Sequence, residues 1–116
     1  MTQSEKQRQG QQGENAALAH LQLHGLRLVE RNFRCKGGEI DLIMQDRQSL
    51  VFVEVRSRAD ARHGDAAASI TPAKQRRLII AAQVYLLGLK KVPACRFDVI
   101  AIDGNDLRWL QDAIQM

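Results

Sequence analysis

Aromatic side chains are scarce in this 116-residue chain, with one Trp (Trp109), one Tyr (Tyr85) and three Phe, so a platform on which unpaired bases stack is not indicated. Cysteine is rarer still. Cys35 and Cys95 stand far apart and belong to no C-x-x-C pair, which argues against a zinc knuckle or redox motif and for two reduced, half-buried thiols. Apolar runs are short. None approaches the about 18 residues of a membrane span or reads as a signal-peptide core, so the expectation is a soluble, cytoplasmic protein with no membrane partner. No internal repeat or Pro-rich linker interrupts the chain, and a length of 116 residues sets one domain.

What is present is positive charge, 17 Lys and Arg against 13 Asp and Glu. The basic residues cluster. Arg31, Arg34 and Lys36 precede Gly37-Gly38; Arg56, Arg58 and Arg62 come later; Lys74, Arg76 and Arg77 fall near the start of a helix. Such a distribution suits a polyanionic partner such as nucleic acid, or else is a solvated basic face. Residues 1–12 are polar and Gln-rich, which predicts a disordered lead-in before a folded domain over 13–116. His20 and His24 lie four apart on a predicted helix, yet no third ligand with suitable spacing accompanies them, so they read as helix-flank residues and not as a zinc site.

Carboxylates stand inside two otherwise apolar, strand-like runs, Gly37-Gly38-Glu39-Ile40-Asp41-Leu42-Ile43 and Val51-Phe52-Val53-Glu54-Val55-Arg56. Ionised groups in such settings are costly without a partner, a hydrogen-bond network or a metal ion. The runs are separated by a polar turn whose tip is Arg47-Gln48, so they should form an antiparallel hairpin in which opposed residue numbers sum to 95. That register sets Asp41 against Glu54 and Glu39 against Arg56, with all four side chains on one face. Directly opposed Cβ atoms sit about 4.5–5.5 Å apart, so the two acids would repel one another unless a cation lay between them. Mg²⁺ is commonly held by one or two carboxylates plus water and phosphate oxygens. The alternative is ordinary charge pairing, Arg56 with Glu39, although Phe52 and Ile43 on the same face imply cover.

Elsewhere, Gln12 to His24 predicts a helix closed by Gly25, its apolar stripe formed by Ala17, Leu18 and Leu21. Glu14 lies on that stripe, aimed either at the sheet or at the helix dipole, an interaction of about 0.3–1 kcal/mol. Leu26–Arg34 alternates as a strand. Ser57–Ile70, containing His63-Gly64-Asp65, reads as a mobile loop beside the acids. Thr71-Pro72 opens a second helix that runs to about Leu87 and stops at Gly88, and Lys74 and Gln75 project from its first turn toward the sheet. Cys95–Ile102 and Leu107–Leu110 complete an order αβββαββ.

The combination of a helix-borne Glu, GGEIDLI, VFVEVR, the SITPAKQ region and CRFDV resembles the bacterial YraN family, similar in turn to the restriction-endonuclease-like superfamily near the Holliday junction resolvases. The resemblance implies an α/β fold with a mixed central sheet of about five strands flanked by helices. It also implies a Mg²⁺- or Mn²⁺-dependent nuclease acting on phosphodiesters in structured DNA. Glu14 would match the helix carboxylate, Asp41 the metal-binding Asp and Glu54 the Glu of an E-x-K element, with the Val55 carbonyl as a further ligand. Arg56 falls where that superfamily usually has Lys, and because Arg stays protonated it can perform only the electrostatic part of the Lys role. The hydroxide would then come from metal-bound water alone, or Lys74 would supply the missing amine, and Gln75 would position substrate or water. A non-catalytic nucleic-acid-binding module and a structural protein using the acids for internal pairing are the competing readings. The resolvase resemblance implies a homodimer, although nothing in the sequence marks an interface.

Overall fold

Each helix begins where a side chain satisfies the backbone that the helix itself leaves unpaired. Ser4 Oγ accepts from the Gln7 N–H at 3.1 Å while Gln7 Oε1 accepts from the Ser4 N–H at 3.0 Å, a reciprocal cap worth about 1 kcal/mol. Thr71 Oγ1 accepts from the Lys74 N–H, with Pro72 at the first helical position. The computed structural model describes residues 4–59 and 65–116. Within them the order is α1 (Glu5–Leu23), β1 (Arg27–Cys35), β2 (Gly38–Asp46), β3 (Ser49–Arg58), a 3₁₀ turn (Ala67–Ser69), α2 (Pro72–Leu87), β4 (Cys95–Asp103) and β5 (Asp106–Ile114).

The strands form one mixed sheet in the order β1-β2-β3-β4-β5. Every neighbouring pair is antiparallel except β3 and β4, which run parallel and are joined through α2. Alternation divides the sheet's side chains between two layers. Leu42, Met44, Val51, Val53 and Ile100 pack with Ala17 and Leu21 of α1, while Ile43, Phe52, Phe97 and Val99 pack with Leu78, Ala81 and Ala82 of α2. Burying each large apolar side chain contributes about 1.5–3 kcal/mol, so both helices are held by their apolar faces. The α/β architecture, two helices on opposite faces of a five-stranded mixed sheet, is restriction-endonuclease-like, as the motifs implied.

Both helices approach the sheet closely at a glycine. A Cβ on Gly38 would overlap the carbonyl oxygen of Arg77 and come within 3.1 Å of the Ala81 nitrogen, so the α2 backbone passes directly over the start of β2. At Gly13 of α1 a Cβ would lie 2.9 Å from Ser57 Cβ.

The structure departs from the sequence reading at three places. The lead-in expected to be disordered is, over residues 5–12, the opening of α1; the Ser4–Gln7 cap and the helix-forming Glu and Gln side chains start it earlier than the apolar stripe does. Residues 1–3 lie outside the described residues. The stretch expected as a loop is partly ordered, since β3 continues to Arg58 and Ala67–Ser69 form the 3₁₀ turn; His63 and Gly64, like Arg62 of the basic cluster, lie outside the described residues. Finally, β5 runs to Ile114, beyond Leu110. Its hold is Asp98, fully buried on β4, which accepts from Arg96 Nε at 3.0 Å, Trp109 Nε1 at 2.9 Å and the Asp112 backbone N–H at 2.9 Å. Removing that acid would orphan three donors.

Candidate active site

The register that sums to 95 holds from Asp46↔Ser49 to Leu42↔Val53, and there the β2–β3 ladder ends. One step further it would set Asp41 opposite Glu54. Instead Asp41 Oδ2 accepts from the Val55 backbone N–H at 2.8 Å. The side-chain phase of β2 slips at the same point, because Ile40 packs in the α2 layer whereas Leu42, two residues on, packs in the α1 layer. Strict alternation cannot do that. The slip turns the Asp41 carboxyl into the gap between the parting strands, where its charge acts on the Glu54 carboxyl.

This correction separates the four residues expected on one face. Asp41 and Glu54 do converge. Glu39 instead reaches across to β1 and pairs with Arg34 at 3.7 Å, half-exposed. Arg56 lies 3.7 Å from Glu54 Oε1 and donates Nε–H to Ser69 Oγ at 3.1 Å.

Two buried carboxyl groups this close favour keeping a proton at neutral pH. Burial is the main force raising the Glu54 carboxyl to about 8; the negative charge of Asp41 adds to it and Arg56 opposes it. Burial also raises Asp41 to about 6, against the pull of the Val55 N–H, with the charges of Glu14 and Glu39 pushing further upward. Their environment thus penalises the doubly ionised pair, the condition in which a divalent cation stabilises most.

Glu14 is close enough for its charge to act on Asp41 and is only 14% exposed, so it points inward as its place on the α1 stripe implied. Its carboxylate, however, is turned to Arg31 Nη2 at 3.3 Å, and the same nitrogen donates to Asn15 Oδ1 at 2.7 Å. Among the described residues no three His, Cys, Asp or Glu side chains converge as a cage. A pair of carboxylates is the kind of donor set Mg²⁺ or Mn²⁺ takes, whereas Zn²⁺ and Ca²⁺ take fuller protein shells. A polar groove of about 570 Å³, lined by Gln7, Gln11, Glu14, Arg31, Asn32 and Arg34, opens beside this acid.

Lys74, in the first turn of α2, is half-buried on the same side of the sheet. Its ammonium is pulled down from its usual range, first by burial and then by Arg56, while Glu54 holds it up. Gln75 donates Nε2 to the Ile70 carbonyl at 3.4 Å and thereby braces the start of the helix. His20 and His24 lie with ring centroids 4.4 Å apart and tilted, both meet the Trp109 ring of β5 edge-on, and His24 Nδ1 lies 2.8 Å from the His20 carbonyl oxygen.

Sequence reasoning missed the roles of Arg31 and Ser69. Arg31 was visible only as one of a basic group, and its contact with Glu14 spans α1 to β1. Nothing in the local sequence of Ser69 distinguishes it from any other loop serine.

Fold and site together define a restriction-endonuclease-like α/β domain with a paired-carboxyl centre where two strands part. A family model described as "Uncharacterised protein family UPF0102" matches residues 13–102, and the chain belongs to that family, the one its motifs resembled. It is 65% identical over 106 residues to a UPF0102 protein of Herminiimonas arsenicoxydans, covering 91% of this chain and 86% of that protein. A UPF0102 protein of Janthinobacterium sp. (strain Marseille) is 62% identical over 110 residues, covering 95% and 89% respectively. One of Ralstonia pickettii (strain 12J) is 60% identical over 109 residues, covering 90% and 87%.

Proposed function

We propose that this protein is a divalent-metal-dependent nuclease that hydrolyses phosphodiesters in structured DNA. The observation that carries the reading is the half-buried Asp41–Glu54 pair, held together where β2 and β3 separate and ringed by Arg56 and Lys74. A bound Mg²⁺ or Mn²⁺ supplies Lewis-acid polarisation of a phosphoryl oxygen and an acidified water. Asp41 and Glu54 would hold it, with the Val55 carbonyl as a further ligand, and Glu54 would give up its proton on binding. Glu14 acts through water or after leaving Arg31. The Arg56 guanidinium, fixed near Glu54, stabilises charge growing on the phosphoryl oxygens. Lys74, whose ammonium is already easier to deprotonate than usual, provides the amine that Arg56 cannot, and Gln75 Oε1 is an acceptor able to orient water or substrate. The basic residues around the pair bind the phosphate backbone with little sequence preference.

The metal half of the reading is tested without substrate by calorimetric titration of Mn²⁺. Wild type binds, and Asp41→Asn does not; equal affinity would reduce the pair to internal structure. Arg56 separates catalysis from a second reading, a nucleic-acid-binding module of the same fold, which the Arg in place of the usual Lys favours. On branched or flapped DNA in Mn²⁺, Arg56→Lys is expected to retain or increase cleavage and Arg56→Ala to lose it. If wild type and Arg56→Lys are both inert on branched, nicked, single-stranded and RNA substrates while binding persists, the module reading replaces the nuclease.

A further inference from the structure

Ser69 sits in the short 3₁₀ turn between β3 and α2, and its hydroxyl has a defined polarity. It donates to the Ala66 carbonyl at 2.6 Å, which leaves its lone pairs to accept Arg56 Nε–H at 3.1 Å. The turn itself is anchored. The Ala66 N–H donates to Asp103 Oδ1 at 2.9 Å, the Ala68 N–H donates to Asp65 Oδ1 at 2.8 Å, and Arg108 Nη2 lies 3.5 Å and 3.6 Å from the second oxygens of Asp103 and Asp65. Arg56 is therefore gripped at two points, by Ser69 along its stem and by Glu54 at its tip. An unheld arginine loses rotamer freedom when it is fixed, so a side chain immobilised beforehand meets a phosphate at less entropic cost.

We propose that Ser69 is a positioning residue that presets the guanidinium of Arg56 toward the phosphoryl group cleaved at the Asp41–Glu54 centre. The inference rests on the nuclease reading for its catalytic consequence. The positioning itself does not. A lysine at position 56 has no Nε–H along its stem for the hydroxyl to accept, so Ser69 matters only while residue 56 is Arg. Ser69 and Arg56 are a matched pair.

The test has one readout free of activity and one dependent on it. In ¹H–¹⁵N spectra of the full chain, the Arg56 Nε–H should exchange slowly with solvent in wild type and Ser69→Thr, and rapidly in Ser69→Ala. Unchanged protection in Ser69→Ala would overturn the proposal. In Mn²⁺-dependent cleavage, Ser69→Ala should lower kcat about tenfold with KM unchanged, Ser69→Thr should restore it, and the loss should vanish when Ser69→Ala is combined with Arg56→Lys. An equal loss in the Arg56→Lys background would mean that Ser69 acts on the fold and not on Arg56. A folding defect is distinguished by thermal melting of Ser69→Ala and Ser69→Thr side by side. If no variant cleaves, the nuclease reading fails while the exchange measurement still decides whether Ser69 holds Arg56.

Discussion

The raised carboxyls of Asp41 and Glu54 link the site to stability. Both carboxyls titrate above their unfolded values of 3.8 and 4.5, at about 6 and about 8, so the native state binds more protons than the unfolded chain between roughly pH 4 and 8. Stability in metal-free buffer should be full below that window and decline as pH rises through it. Chemical denaturation from pH 4 to pH 9 checks the sign, and stability that climbs over this range would show that the pair is not protonated. Mn²⁺ should reverse the decline at pH 8 because it binds the native state alone. Asp41→Asn should flatten the slope and leave the metal-free protein as stable as wild type, or more so, at pH 8, since the amide oxygen still accepts from Val55 while the like-charge contact is gone.

At the scale of elements, legibility tracked how local the determining signal was. The α2 boundaries were readable because Thr71-Pro72 and Gly88 act on their own neighbours. The hairpin register was readable because a two-residue turn fixes it. The opening of α1 was readable too, in the Ser4-x-x-Gln7 cap, but the lack of large apolar side chains there pointed to disorder. The phase slip at Asp41, by contrast, arises from a side chain capturing a backbone N–H on another strand, and no periodicity rule reports that. It is why Asp41, Glu54 and Arg56 met while Glu39 turned to Arg34. Gly38 shows the same limit: it reads as a turn residue, whereas the passage of the Arg77 carbonyl is what requires it. Gly38→Ala should therefore displace α2 from β2 and cost about 2–3 kcal/mol, lowering the melting temperature by about 10 °C. A loss below about 3 °C would mean that α2 shifts without resistance.

For the whole molecule, the chain makes two antiparallel units, β1-β2-β3 and β4-β5, from neighbouring segments, and only the parallel β3–β4 pairing must be closed across the α2 crossover. Phe52 and Phe97 face one another in that register, with ring centroids 5.5 Å apart. The crossover is the longest chain closure between neighbouring strands of the sheet, so this seam is expected to limit the rate of assembly. Phe97→Leu should slow refolding nearly in proportion to the stability it removes, whereas Phe33→Leu, in the hairpin region, should chiefly accelerate unfolding. Stopped-flow chevrons of the two variants distinguish these limbs. The strand that carries Glu54 and Arg56 is also one side of the seam, and the turn that bears Ser69 is anchored on Asp103 of β4, so a chain that has not yet docked β4 holds its paired acids without the hydroxyl that grips Arg56.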